Sequence, residues 1–221
     1  MSEGQIQDDG YRFDLTGAHP TLDFANTMSR RADPKDSQEY LTSHGRLISW
    51  SEQTGVITHE EAASLRREAA AHPRAAAAAL RRAIALREEL FSLFAAIARG
   101  EAPPVKALDA LNAALPEALG ALRVGSERDG FRWRFEHDAT DLTPMLAPVL
   151  RQAAELLTSP ELVRVRECDA ATCFWLFLDA SKSGTRRWCD MKVCGNREKA
   201  RRHHQRVRAT EPGSTSRTAR R

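Results

Sequence analysis

The sequence lacks the features that typify membrane proteins, secreted proteins and common enzymes. No apolar run approaches the ~18 residues that a membrane-spanning helix needs. The first segment, MSEGQIQDDGYRFD, is polar and acidic, unlike a secretory signal. No nucleophile–base pair and no phosphate-binding glycine loop is recognisable. We therefore expect a cytoplasmic protein that is not an enzyme and does not contact a membrane.

Cysteine is scarce, and its placement is informative. The chain of 221 residues has 4 cysteines, and none lies before position 168. Cys168 pairs closely with Cys173, and Cys189 with Cys194, with four residues between the members of each pair. Close thiol pairs in a reducing compartment bind metal more often than they form disulfides. We predict a zinc ion held by four thiolates, a closed structural site without a position for a catalytic water. Disulfides or unpaired core thiols are the alternative.

Net positive charge is missing from most of the chain and is confined to its C-terminal part. Residues 161–221 contain 15 Lys and Arg against 7 Asp and Glu, out of 33 and 30 in the whole chain. The preceding part therefore has 18 basic and 23 acidic residues. This division predicts a basic C-terminal part that faces phosphates and an acidic N-terminal part that avoids them.

Hydrophobic periodicity predicts an α+β fold that is mostly α-helical. Short strands are predicted at 13–15, 22–24 and 162–165, and a hairpin at 119–124 and 131–135. Helices are predicted at 34–50, 58–71, 73–99, 104–114 and 143–157. Thr58 and Glu61 form a capping-box pair, and Gly100 is a helix stop signal. The predicted organisation is a disordered segment 1–10, an N-terminal regulatory domain 11–159, a zinc finger 160–209 and a disordered basic tail 210–221.

The finger is predicted to combine a knuckle, a hairpin and a helix. The apolar run FWLFLD reads as a strand, SKSG as a turn, and TRRWC as the returning strand. A helix then follows Cys194-Gly195. This order resembles a treble-clef zinc finger, although such fingers usually have two residues within each cysteine pair. At 100° per residue, Asn196, Ala200, His203 and Val207 share one side, which we expect to pack under Trp175 or Phe177.

The wide remaining arc of this helix is basic and contains a single acid, Glu198. A helix of this kind can enter a major groove or lie along phosphates, so we predict double-stranded DNA as the partner. Basic residues of the hairpin and knuckle add to the arc. The candidate nucleic-acid-binding residues are Arg186, Arg187, Lys192, Asn196, Arg197, Lys199, Arg201, Arg202 and Arg206.

The segment from 160 to 205 closely resembles the bacterial CGNR zinc finger, named after the motif Cys194-Gly195-Asn196-Arg197. The FLD and RRWCDM segments belong to the same resemblance. The segment HPTLDFANT, residues 19–27, and the helical region after it resemble the ABATE domain that usually precedes this finger. The resemblance implies a stress-induced bacterial transcription regulator that binds DNA through the finger and is associated with the nucleoid.

Two further function classes stay open. Zinc-bound thiolates are oxidisable, so the finger could serve a redox or metal sensor. Alternatively, the finger is a zinc-stapled interaction module whose basic arc meets an acidic protein. A homodimer is compatible with operator binding, although no heptad seam is visible.

His19, Asp23 and Asn26 are the candidate effector-binding residues of the N-terminal domain. They are polar side chains amid apolar residues and could orient a small molecule in a cleft. The alternative is structural: Asn26 and Thr27 cap the next segment, and Asp23 neutralises an arginine such as Arg30.

Overall fold

The computed structural model describes residues 11–31 and 35–210. Its helices are Pro20–Ala25 (α1), His44–Gln53 (α2), His59–Ala71 (α3), Pro73–Ala98 (α4), Val105–Gly120 (α5), Leu146–Thr158 (α6) and Asn196–Thr210 (α7). Its strands pair antiparallel: Met28–Ser29 (β1) with Gln38–Glu39 (β2), Leu122–Glu127 (β3) with Gly130–Phe135 (β4), and Val165–Glu167 (β5) with Leu176–Leu178 (β6). The predicted fold class is confirmed. The disorder predicted for 1–10 and for the tail after Thr210 lies outside the described residues.

Helices α3 and α4 begin and end close to their predicted bounds. At the start of α3, the Thr58 amide donates to Glu61 Oε2 at 2.6 Å, and the Glu61 amide donates to Thr58 Oγ1 at 3.2 Å. Each side chain thus satisfies one of the amides that a helix start leaves unpaired. Pro73 occupies the first turn of α4, and Gly100 follows its end with a φ of 72°. Positive φ is the conformation in which glycine is favoured after a helix.

Two predictions near the N-terminus are wrong. Residues 22–24 belong to the short helix α1 rather than to a strand, and residues 13–15 form no strand in the described ranges. All residues from Thr21 to Ala25 are buried, so the helix has no polar face from which its period could be read. The helix predicted at 34–50 begins only at His44, because the Ser43 side chain caps it by accepting from the Arg46 amide.

The middle of the chain differs from prediction in its boundaries. Helix α5 runs to Gly120 with Pro116 inside it, so the hairpin strand starts at Leu122 and not at residue 119. Helix α6 begins at Leu146, three residues later than predicted. A 3-10 helix, Pro160–Arg164, occupies most of the strand predicted at 162–165.

A single apolar cluster joins the helical body to strands β5 and β6. Its largest fully buried side chains include Trp50, Phe24 and Phe94. Val165 and Leu176, on the two strands that flank the first cysteine pair, belong to the same cluster. Helix α1 packs against α4, α6 and β6, so it lies at the centre of this junction. The finger is therefore seated on the body through shared core residues.

Arg87, which no feature of the sequence marked, is fully buried on α4. Its guanidinium donates to both carboxylate oxygens of Glu39 at 2.6 Å, and also to the side chain of Thr27. A buried charge requires this kind of paired and hydrogen-bonded surrounding. Arg87 thereby fastens β2 and the segment after α1 to the longest helix.

Within the described ranges, no helix combines the length and the apolar character that crossing a membrane requires.

Candidate metal centre and nucleic-acid interface

The four cysteines converge in the folded chain. All four are buried and free, and their Sγ atoms lie within 4.8 Å of one another. Cys173 Sγ is 3.6 Å from Cys189 Sγ, which is 3.6 Å from Cys194 Sγ. A disulfide needs sulfurs ~2.05 Å apart. Four thiolates placed tetrahedrally at ~2.3 Å from zinc have sulfurs ~3.8 Å apart, so the geometry fits a zinc ion.

The first cysteine pair belongs to a turn between β5 and β6. The Cys168 amide donates to the Trp175 carbonyl at 2.8 Å and continues the ladder of the two strands. The Cys173 amide donates to the Ala170 carbonyl at 2.9 Å and closes the turn. Phe174 has a φ of 61°, which turns the chain back into β6. A left-handed phenylalanine is strained, and such strain is held where the surrounding structure fixes the backbone.

The second pair is held by Asp190. Its carbonyl accepts from the amides of Cys194, at 2.9 Å, and Gly195, at 3.1 Å, while its carboxylate accepts from the Val193 amide. This π-helical turn, Met191–Gly195, leads directly into α7. Arg186 donates to the carbonyls of Trp188 and Cys189 and stacks on the Phe177 ring. The loop before Cys189 is therefore fixed by a guanidinium and not by strand pairing.

The predicted hairpin of the finger is wrong in its partner. The strand within FWLFLD, β6, pairs with β5 on its N-terminal side. The returning segment 185–188 forms no strand in the described structure, although the Asp169 amide donates to the Arg187 carbonyl at 2.9 Å. The Arg186 side chain instead binds the carbonyls of Trp188 and Cys189 at the end of this segment.

The thiols influence one another strongly. Hydrogen bonds from Cys173, Cys189 and Cys194 lower the pKa of the Cys168 thiol well below its usual range. Hydrogen bonds with Cys168, Cys173 and Cys194 raise the pKa of the Cys189 thiol. A zinc ion relieves this competition, because it favours the deprotonated form of every ligand at once. The donor set is therefore chemically suited to zinc, and the predicted cofactor is confirmed.

Asn26 fastens the finger to the helical body. Its side-chain amide donates to the Leu176 carbonyl at 2.8 Å and accepts from the Leu176 amide at 2.8 Å. Asn26 thus satisfies both backbone groups of a β6 residue, as a neighbouring strand would. The Trp175 indole donates to the Met28 carbonyl, and the Leu178 amide donates to the Gly17 carbonyl. Segments 150 residues apart are joined by these bonds.

The other two candidate effector residues also have structural partners. His19 caps α1 by accepting from the Thr21 amide at 3.3 Å. Asp23 accepts from the Gly17 amide at 2.8 Å, and its burial raises its pKa to about 6. Arg30 pairs with Asp36 and not with Asp23. The expected capping role thus belongs to His19, and Asp23 ties down the loop before α1.

Helix α7 leaves the metal centre and extends into solvent. Asn196, Ala200, His203 and Val207 are all exposed, so the predicted packing of this side under Trp175 or Phe177 is wrong. The residue that anchors the helix is Glu198, which is 4% exposed and accepts from the Ala171 amide at 3.2 Å. Hydrogen bonding from Arg201 lowers the pKa of Glu198. The single acid of the helix is therefore its attachment to the knuckle.

The candidate nucleic-acid residues fall into two groups. Lys192, Lys199 and Arg202 are exposed and form no ion pair among the described residues. Three others have contacts within the finger or on their own helix: Arg187 with Asp169, Arg197 with Thr172 and Arg201 with Glu198. Asn196 and Arg206 are also exposed, whereas Arg186 is half-buried. Apart from Arg186, these side chains form a solvent-facing basic surface around the start of α7.

A small cavity of about 180 Å³ adjoins the metal centre. Cys173, Cys189 and Cys194 line one side, and Tyr40 and Arg30 of the helical body line another. The cavity gives three of the four ligand residues a route to solvent between the body and the finger.

The architecture defines a class: a helical body carrying a four-cysteine zinc finger that presents a basic helix. Residues 18–160 match the ABATE family, described as "Putative stress-induced transcription regulator", and residues 164–207 match the CGNR zinc finger. The chain belongs to the ABATE family, and both resemblances found in the sequence are confirmed. No curated protein matches the chain.

Proposed function

We propose that the protein binds double-stranded DNA through α7 and regulates transcription. The observation that carries the proposal is that every described side chain from Lys199 to Val207 is exposed on a basic helix. A helix that is polar on all sides gains little from packing, and one of this length is marginally stable alone. A polyanionic partner would supply both counter-charge and contacts.

The zinc site gives this helix a defined direction. Cys194 ends one cysteine pair immediately before α7, and Glu198 bonds to the knuckle one turn later. Metal binding therefore orients the first turn, where Asn196 and Arg197 lie. In our proposal these two residues and Arg201 reach base edges, while the unpaired cations Lys192, Lys199 and Arg202 contact phosphates.

The test measures the binding of duplex DNA to the zinc-loaded full chain by fluorescence anisotropy at several salt concentrations. Neutralising ~5 phosphates would give a slope of log K against log salt of about −4 to −5. Arg202→Ala should weaken binding to all sequences and make the slope less steep by about 1. Arg81→Ala, an exposed arginine on α4, is the matched control and should change neither. Duplex binding that does not depend on salt, or no binding, contradicts the proposal.

We also propose that the protein acts on DNA as a homodimer formed through the β3–β4 hairpin. One face of the hairpin carries Val124, Phe131 and Trp133, which are 61%, 77% and 59% exposed. An isolated two-stranded hairpin is marginal in water, so an apolar face of this kind needs a cover. The two aromatic rings offer on the order of 300 Å² per protomer, which is below the ~800 Å² of a standard interface and fits a weak dimer.

Sedimentation equilibrium tests the dimer. Trp133→Ser should shift the protein toward the monomer, whereas Val163→Ser, which changes an exposed apolar residue outside the hairpin, should not. A parent protein that is monomeric both alone and on DNA excludes this arrangement.

A second candidate function is thiol-based sensing, which the cavity beside Cys173, Cys189 and Cys194 favours. A peroxide that enters there could oxidise two neighbouring thiolates to a disulfide, with the peroxide reduced to two hydroxide ions. The separation of 3.6 Å between Cys173 and Cys189 sulfurs requires only a small movement. Mass spectrometry should then detect this disulfide at peroxide levels that leave the helical body folded. Thiols that stay reduced until the whole protein unfolds contradict sensing.

In this proposal the helical body receives a small effector or stress signal, and the protein is not an enzyme. The closed four-thiolate site supports the second point, because structural zinc sites of this kind offer no position for a substrate water. The remaining alternative is that the basic helix α7 binds an acidic protein instead of DNA. Recovery of a protein without nucleic acid in pull-downs would favour it.

A further inference from the structure

A cavity of about 550 Å³ opens in the helical body, away from the metal centre. Helices α4, α5 and α6 form its walls, and the segment between β4 and α6 forms part of its rim. Its volume lies within the range of ~300–1,000 Å³ that is typical of small-molecule sites. None of His19, Asp23 and Asn26, the effector candidates from the sequence, lines it.

Alanines create the space. Three of them, Ala110, Ala114 and Ala118, recur every fourth residue on α5 and so lie on one face of that helix. Ala147 on α6 also lines the cavity. Side chains this short cannot fill the gap between the helices. The buried side chains of Leu146 and Leu150 form an apolar floor.

The rim of the cavity is acidic. It has five carboxylates, of which those of Glu89, Glu136 and Asp141 are ion-paired with Lys106, Arg123 and His137. Arg82 is hydrogen-bonded to Thr143. Neither Glu117 nor Asp138 has an ion-pair partner among the described residues. The five carboxylates are those of Glu89, Glu117, Glu136, Asp138 and Asp141.

We propose that this cavity binds a small organic cation with an apolar body, such as an alkylamine. The alkyl part would lie on Leu146 and Leu150, where its burial is favourable. The ammonium group would lie at the rim with the unpaired carboxylates of Glu117 and Asp138. An organic anion of the same shape would meet the acidic rim unfavourably. A neutral alcohol would gain the floor but not the charge pairing.

The walls of the cavity extend to the finger. Helix α4 contacts β5 and β6, and Arg99 beside its end pairs with Glu167 at 2.6 Å, next to the ligand Cys168. Helix α6 leads through the 3-10 helix into β5. A ligand that repositions α4 or α6 would therefore act on the strand that carries the first cysteine. This regulatory role rests on the proposed DNA binding, whereas cation binding itself does not.

The site can be tested with alanine methyl groups as reporters. The zinc-loaded full chain, labelled with ¹³C at alanine methyls, is titrated with hexylammonium, hexanoate and hexanol. Hexylammonium should shift the methyl signals of Ala110, Ala114, Ala118 and Ala147, hexanol should do so more weakly, and hexanoate should not. Equal effects of hexanoate and hexylammonium, or no shift of these methyls, would overturn the proposal.

Two variants separate charge from shape. Glu117→Gln combined with Asp138→Asn should weaken hexylammonium binding about fivefold and leave hexanol binding unchanged. Glu155→Gln, on an exposed part of α6 outside the cavity, is the matched control. A double variant that binds hexylammonium like the parent overturns the role of the rim.

Duplex affinity is measured in parallel with and without hexylammonium. If the methyls respond but the protein binds no duplex, the proposed function fails and the cavity proposal stands. If duplex binding is present and the methyls do not respond, the cavity proposal fails alone.

Discussion

Replacing Asn26 by alanine tests whether the finger depends on the helical body. Asn26→Ala removes both hydrogen bonds to the Leu176 backbone and leaves its N–H and C=O without partners in the core. An unsatisfied buried polar group costs about 1–3 kcal/mol, so the two together cost about 2–6 kcal/mol. The lower limit already corresponds to about a 30-fold change in an equilibrium constant.

This loss should appear in zinc binding as well as in unfolding. Folding of a structural zinc site and metal binding share their free energy. A less stable attachment of β6 therefore lowers the affinity for zinc. We expect Asn26→Ala to lower the midpoint of urea unfolding. We also expect the variant to lose zinc to a chromophoric chelator at a chelator concentration at least about 30-fold lower than the parent protein requires.

The matched control is Asn112→Ala, which changes an exposed asparagine on α5 and should leave both measurements unchanged. Trp175→Phe removes the indole bond to Met28 together with part of a buried ring, and should give an intermediate effect. If Asn26→Ala retains zinc and unfolds like the parent, the finger folds independently of the body and the reasoning fails. If stability and zinc binding are unchanged and only the binding of a small effector is lost, Asn26 is an effector residue, as the sequence predicted.

Three further predictions concern acidity, metal and helix. Burial raises the Asp23 pKa to about 6, so its ionisation removes stability as pH rises from about 3.9 through about 6. Asp23→Asn, which keeps an acceptor for Gly17, should add up to about 3 kcal/mol to the unfolding free energy at about pH 8 and less at about pH 5; an equal gain at both would contradict this. Cys173→Ser should abolish stoichiometric zinc binding measured by atomic emission; retained zinc would refute the four-ligand site. Duplex DNA should increase far-UV helicity through α7, and Arg202→Ala should reduce the increase; an unchanged spectrum would argue against coupled ordering.

The parts of this structure that could be predicted from sequence are those with local chemical rules. Thr58 and Glu61 cap a helix through bonds three residues apart, and four cysteines in two pairs need only one metal ion to bring them together. The motif Cys194-Gly195-Asn196-Arg197 also identified the finger, because it too is a local pattern in the sequence. These signals survive without knowledge of the tertiary fold.

The errors lie where distant segments decide the outcome. The spacing of Ala200, His203 and Val207 predicted packing, but all three residues are exposed on α7. Asn26 gave no sign that its partner lies 150 residues away. Arg186 carries the charge expected of a DNA contact, yet its guanidinium binds the carbonyls of Trp188 and Cys189 within the finger.

The shared core has a consequence for how the finger can be used. Val165 and Leu176 belong to the finger by sequence but to the helical body by packing. A peptide that begins near residue 164 would expose both side chains and lose the bonds from Asn26 and Gly17. The finger is thus not an independent unit that could be moved to another protein by itself. A recombination event that joined it to a different body would also have to supply a replacement for α1.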